Sequence, residues 1–179
     1  MPVSAEAILQ DESGRAVLRF ERRLSHSPER VWNALIERDE LVKWHPTPFE
    51  LESEVAGAVE YFTVENSPEM PVGAVTEYDP PRVLAHTWGE DLLRWEIEPR
   101  DDGCVLVLTQ TFDDRFKAAR DAAGWDLCLD ALTSALEGSP APHRRDDEGR
   151  IPGGWEELNR AYQERFGISP EEATPPPEM

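Results

Sequence analysis

The chain has 179 residues, 39% hydrophobic and 31% charged, with 37 acidic against 18 basic residues and a formal net charge of -19. This is a globular composition, long enough to bury a core without disulfide staples. A surface so negative repels phosphate backbones and anionic lipid heads, which argues against nucleic acid and membrane surfaces as partners.

Residues 1–15 are polar and contain Gly14, and read as a loose lead-in. Residues 17–24 alternate, with Leu18, Phe20 and Leu24 on one side and Arg19, Glu21 and Arg23 on the other. That is the period of a half-buried strand, and it leaves Arg22 on the apolar side. Ser27-Pro28-Glu29 then opens a helix: a side-chain N-cap, a proline where no hydrogen bond is lost, and an acid at the positive end. Val31, Trp32, Leu35 and Ile36 supply its apolar stripe. A short turn follows over residues 39–44, capped by Asp39 and ended by Pro46 and Pro48.

From residue 49 to 112 the pattern is strands and turns. Phe49 and Leu51 alternate with Glu50 and Glu52, and Gly57 turns the chain into residues 58–64. A proline-containing loop over 66–71 leads to strands at 72–78, 82–88, 92–98 and 104–112, separated by turns at Asp79-Pro80-Pro81, Gly89-Glu90-Asp91 and Asp101-Asp102-Gly103. Short strands at this spacing form an antiparallel meander. The period then changes. Trp125, Leu129, Leu132 and Leu136 mark one face of a helix over about 116–136, stopped at Gly138. Gly124 inside it suggests a kink or a close backbone approach. Residues 138–150 read as a linker, 151–167 as an accessory amphipathic helix bearing Trp155, Leu158, Tyr162 and Phe166, and 168–179, with three consecutive prolines, as a disordered tail.

Strand, helix, long meander and long C-terminal helix is the order of an α+β helix-grip fold. The segments Ser27-Pro28-Glu29-Arg30-Val31-Trp32-Asn33-Ala34-Leu35, Leu41-Val42-Lys43-Trp44, Pro80-Pro81-Arg82-Val83-Leu84, Trp95-Glu96-Ile97-Glu98-Pro99, Leu106 to Phe112 and Gly124-Trp125 carry a further likeness. Over residues 17–137 the chain resembles the START-like superfamily and, within it, small bacterial proteins related to the C-terminal domain of the Hsp90 ATPase activator. The resemblance implies a curved antiparallel sheet gripping the long helix, with an apolar cavity between them for a hydrophobic or amphipathic small molecule. The superfamily includes carriers, receptors and cyclases, so no single chemistry follows.

Signs of catalysis are few. His26, His45, His86 and His143 are scattered without metal-ligand spacing, and neither a phosphate loop nor a nucleophile elbow is present. No metal or cofactor is expected, and no residue is assigned a catalytic role. Cys104 and Cys128 lack a CxxC partner and read as reduced thiols. With no secretory pattern at the N-terminus and no apolar run near the ~20 residues of a membrane span, the cytoplasm is the expected location. Alternation aims three polar residues inward: Arg22, His86 and Gln110. Each either satisfies itself within the protein or anchors a ligand head group. The cavity candidates are these three with Trp44, placed near its mouth, Phe49, Leu51, Tyr61, Trp88, Trp95, Leu108, Phe112, Trp125 and Leu129. The leading expectation is a small-molecule binding protein. The alternatives are a cyclase- or hydrolase-type enzyme using His86 with Gln110 or Arg22, and a stress- or chaperone-related interaction module, or homodimer, acting through the Trp155 helix.

Overall fold

A computed structural model of the chain describes residues 7–62, 69–140 and 154–175. Eight strands form one antiparallel sheet: β1 (Ile8–Glu12), β2 (Arg15–Leu24), β3 (Phe49–Leu51), β4 (Ala58–Tyr61), β5 (Gly73–Asp79), β6 (Val83–Trp88), β7 (Asp91–Arg100) and β8 (Gly103–Phe112). Their order across the sheet is β1-β2-β8-β7-β6-β5-β4-β3. The helices are α1 (Pro28–Ile36), α2 (Arg38–Leu41), α3 (Ala118–Leu136) and α4 (Trp155–Phe166).

Local signals account for most of these boundaries. Ser27 Oγ accepts from the Arg30 N–H at 3.2 Å, with Pro28 at the first helical position, as the sequence requires. In α2 the N-cap is Glu37 rather than Asp39, and its side chain makes no capping bond. A short 3-10 turn, Arg115–Lys117, precedes α3 and is itself capped by Asp114, which accepts from the Phe116 N–H.

The register aligns inward residues into rows. Leu18 pairs with Gln110, Gln110 with Leu93, Leu93 with His86, and His86 with Val75. The next row runs Phe20, Leu108, Trp95, Leu84. These rows, together with Trp32 and Leu35 of α1 and Trp125, Leu129 and Leu132 of α3, form the hydrophobic core. Burying such side chains stabilises the fold by about 1.5–3 kcal/mol each. On the opposite face charged residues pair with one another, Arg94 bridging Glu77 and Glu96.

Three expectations change. The lead-in is not loose beyond residue 7: Ile8–Glu12 is an edge strand, joined to β2 by a two-residue turn in which Ser13 and Gly14 both take positive φ. Residues 168–175 are not a disordered tail. Ile168 is buried, and Thr174 donates its N–H to Phe116 O and its hydroxyl to Asp114 Oδ2. Gly124 meets no close neighbour, and α3 runs unbroken through it. Most of the 138–150 linker, residues 151–153 at the start of the expected accessory helix and residues 176–179 lie outside the described residues, as does the start of the 66–71 loop. The apolar face of α4 is occupied by the chain itself, with Leu158 and Tyr162 buried in the common core. No described helix is long and apolar enough to cross a membrane.

Candidate functional site

The inward polar residues do not share one cluster. Arg22 projects from β2 onto the long helix and donates to Asp126, which also accepts the Tyr162 hydroxyl at 2.5 Å. Burial, then the hydrogen bond to Asp126, raises the pKa of Tyr162 above the ordinary tyrosine range. This network ties the sheet to α3 and α4.

Gln110 is the hub of a second network. Its Oε1 accepts from Trp125 Nε1 at 2.9 Å, and its amide donates to Asp91 at 2.7 Å and Asp121 at 2.9 Å. Lys117 completes the cluster, donating to Asp91 at 2.6 Å. Every polar atom of the Gln110 amide is thus used by the protein.

His86 belongs to a third group, and that group is incomplete. Its Nδ1 lies 2.8 Å from the Tyr61 hydroxyl and 3.2 Å from Thr87 O, and Tyr61 donates to that same carbonyl. Nearby, His45 Nδ1 accepts from the Thr47 N–H at 3.1 Å. His86 is 0% and His45 5% exposed, and neither Nε2 atom has a hydrogen-bonding partner among the described residues. Both rings pack against Phe49, at centroid distances of 5.3 Å for His45 and 4.9 Å for His86.

Aromatic rings complete the surroundings. His45 packs edge-on to Trp44 at 5.1 Å and to Trp125 at 5.7 Å, and Trp125 contacts Trp88 and Trp95. Burial disfavours the imidazolium form. Desolvation, then the presence of His86, holds His45 down to about 3, and desolvation holds His86 down to about 4. Both rings are neutral at physiological pH. Burial likewise raises the Tyr61 hydroxyl above its usual range, so it stays protonated.

Of the sequence-derived candidates, Trp44, Phe49, Tyr61, His86, Trp88, Trp95 and Trp125 come together around this aromatic group. Trp44 is buried, not at a rim, with its Nε1 donating to Ala34 O at 2.9 Å. Tyr61 and Trp88 are half-buried, and Trp88 Nε1 donates to Thr47 Oγ1 at 2.8 Å. Leu51 is half-buried at the margin of the core, and Leu108, Phe112 and Leu129 are fully packed within it. Arg22 and Gln110 stand apart, held by Asp126 and by the Asp91–Asp121 pair. Gln110 is separated from His86 by Leu93 in the same row. The pairings of His86 with Gln110 or Arg22 that an enzyme of this kind would use are therefore not formed. The sequence reading missed His45, whose position after α2 has no periodicity to give it a direction. Its signal was proximity to Trp44 and Thr47. Among the described residues no group of three or more His, Cys, Asp or Glu could hold a metal ion.

Comparison with known proteins places this geometry in context. No curated protein matches the chain. Among solved structures, a conserved protein of unknown function from Enterococcus faecalis superposes with a TM-score of 0.72 at 21% identity, over 93% of this chain and 94% of that one. CalU16 from Micromonospora echinospora gives 0.68 at 17% identity, over 90% and 98%. A Bordetella parapertussis protein solved by NMR gives 0.61 at 26% identity, over 93% of each. These likenesses establish the helix-grip fold. The family model for "Activator of Hsp90 ATPase homolog 1-like protein" matches residues 25–137, from the turn before α1 to the end of α3. That span holds the meander, the gripped helix and the whole aromatic group, and the chain belongs to this family.

Proposed function

We propose that the protein binds a hydrophobic or amphipathic small molecule, whose polar end meets His45 and His86 and whose apolar part lies against the surrounding aromatic rings. Family membership supports a ligand-binding domain in general. The observation that carries the finer reading is the pair of buried Nε2 atoms that have no partner among the described residues, both in one aromatic group. An unmet buried polar atom costs about 1–3 kcal/mol, a cost that a ligand's polar end would relieve. Apolar walls with a few convergent polar groups are also the composition of small-molecule sites. The other inward polar residues, Arg22 and Gln110, are satisfied within the fold and serve as its frame.

Native mass spectrometry of the protein purified from cells, joined to a screen of lipids and aromatic compounds, tests this reading. A retained or captured molecule whose binding is lost in His45→Phe and His86→Phe is the expected result. Empty protein in both experiments would overturn it.

A further inference from the structure

We propose that the polar end recognised between His45 and His86 is a neutral group that accepts one hydrogen bond and donates another, a hydroxyl above all. This rests on the binding reading above and names the ligand chemistry it implies.

The assignment follows from where the protons must lie. The Thr47 N–H can only donate, so His45 Nδ1 meets it with a lone pair. A neutral imidazole carries one proton, which in His45 is then on Nε2. For His86 the logic is reversed. The Thr87 carbonyl can only accept, and it faces both the Tyr61 hydroxyl and His86 Nδ1. Tyr61 spends its single proton on that carbonyl. The Tyr61 oxygen, 2.8 Å from Nδ1, is then an acceptor as well. With two acceptors before it, Nδ1 carries the ring proton, and Nε2 presents a bare lone pair.

The site therefore offers one donor, His45 Nε2–H, and one acceptor, His86 Nε2, on rings that both pack against Phe49. A hydroxyl oxygen accepts from the first and gives its proton to the second. An ether satisfies His45 alone and leaves the lone pair of His86 unmet. A carboxylate sets its own lone pairs against that of His86, and neither buried ring is charged near neutral pH to balance the anion. The half-buried Tyr61 and Trp88 place the group next to the surface, on the side from which a ligand would approach.

Two measurements on the full, unmodified chain test the proposal. Long-range proton–nitrogen correlation spectra assign the imidazole tautomers in the free protein. Calorimetric titration at neutral pH compares naphthol, its methyl ether, naphthalene and naphthoate. The expected result is protonation of His45 at Nε2 and of His86 at Nδ1, with naphthol binding at least about tenfold more tightly than the other three, equivalent to about 1.4 kcal/mol. His86→Phe should remove that preference. Reversed tautomers, or an ether or naphthoate that binds as well as naphthol, would overturn the donor–acceptor assignment while the binding reading stands. Failure of all four compounds to bind would overturn both. The tautomer and wild-type titration results do not depend on the variant folding.

Discussion

Asp126 of α3 accepts from Arg22 of β2 and from Tyr162 of α4, so a single carboxylate joins the sheet, the gripped helix and the C-terminal helix. Asp126 is 5% exposed, and at that depth a charge is tolerated only through its partners. Asp126→Ala should destabilise the protein by about 2–4 kcal/mol, because it strips the half-buried Arg22 guanidinium of its carboxylate. The double variant Arg22→Met, Asp126→Leu should recover most of that loss. Urea denaturation of the two variants decides the matter: equal losses would mean that packing, not charge, dominates here.

Tyr162→Phe isolates the α4 arm of the same network. It deletes one hydrogen bond to a charged acceptor, worth about 1.5–3 kcal/mol, while keeping the ring against Phe166. Hydrogen exchange should rise in residues 155–166 more than in β7 or β8. A uniform rise across the domain would show that α4 does not open separately.

Gln110 has no spare hydrogen-bonding capacity on its amide nitrogen, since it donates to both Asp91 and Asp121. Gln110→Glu keeps the shape and replaces those donors with a third carboxylate. The expected cost near neutral pH is about 2–4 kcal/mol, from lost bonds and like-charge repulsion. The neighbours would raise the pKa of the new carboxyl, so its relative cost should shrink as the pH falls and it becomes protonated. A cost in urea unfolding that stays constant with pH would contradict the carboxylate geometry.

The fold was legible because its signals are local. The Ser27-Pro28 start of α1, the alternation of β2 and β8 and the stripe of α3 each depend on neighbours a few positions away. The inward orientation of Arg22, His86 and Gln110 was legible for the same reason. Their partners were not: Asp126 lies 104 residues from Arg22, and Asp91 reaches Gln110 from the start of the preceding strand. Only the tertiary structure shows that two of these residues are satisfied and that the third keeps a nitrogen without a partner among the described residues. Edge strand β1 was hidden by its polar composition, although Ile8-Leu9 and the Ser13-Gly14 turn were its signature. The docked residues 168–175 were hidden by adjacent prolines. His45 sits in a turn, where no period gives a side chain its direction.

Gly73 gives the Tyr61–Thr87 contact its room. A Cβ there would stand 2.8 Å from Thr87 O, 2.9 Å from Thr87 Oγ1 and 3.3 Å from the Tyr61 ring. The first of these is backbone and cannot step aside cheaply. Gly73→Ala should therefore cost about 1–3 kcal/mol, as overpacking does, and displace the carbonyl that fixes the Tyr61 and His86 protons. Thermal unfolding reads the first effect and the His86 nitrogen spectrum the second. An unchanged spectrum would separate Gly73 from the site.

The two histidines also write themselves into the pH dependence of stability. Their pKa values fall from 6.5 in the absence of burial to about 3 for His45 and about 4 for His86 in the folded protein. The unfolded chain therefore binds more protons between those limits, and protons shift the equilibrium toward it. Stability from this source is complete above about pH 6.5 and is lost as the pH falls toward the folded values. Each histidine contributes a slope of about 1.4 kcal/mol per pH unit where only the unfolded form is protonated, or roughly 2.7 kcal/mol for the pair. Carboxylates titrate over part of the same range but are common to variants that leave them in place. The informative quantity is thus the difference between wild type and the His45→Phe, His86→Phe double variant, measured by urea unfolding between about pH 6 and pH 4. The variant should show the flatter profile, and below about pH 5 it should be the more stable of the two relative to their neutral-pH values. Parallel profiles would mean that water reaches the imidazoles, and with it the case for two desolvated, unmet nitrogens would fail.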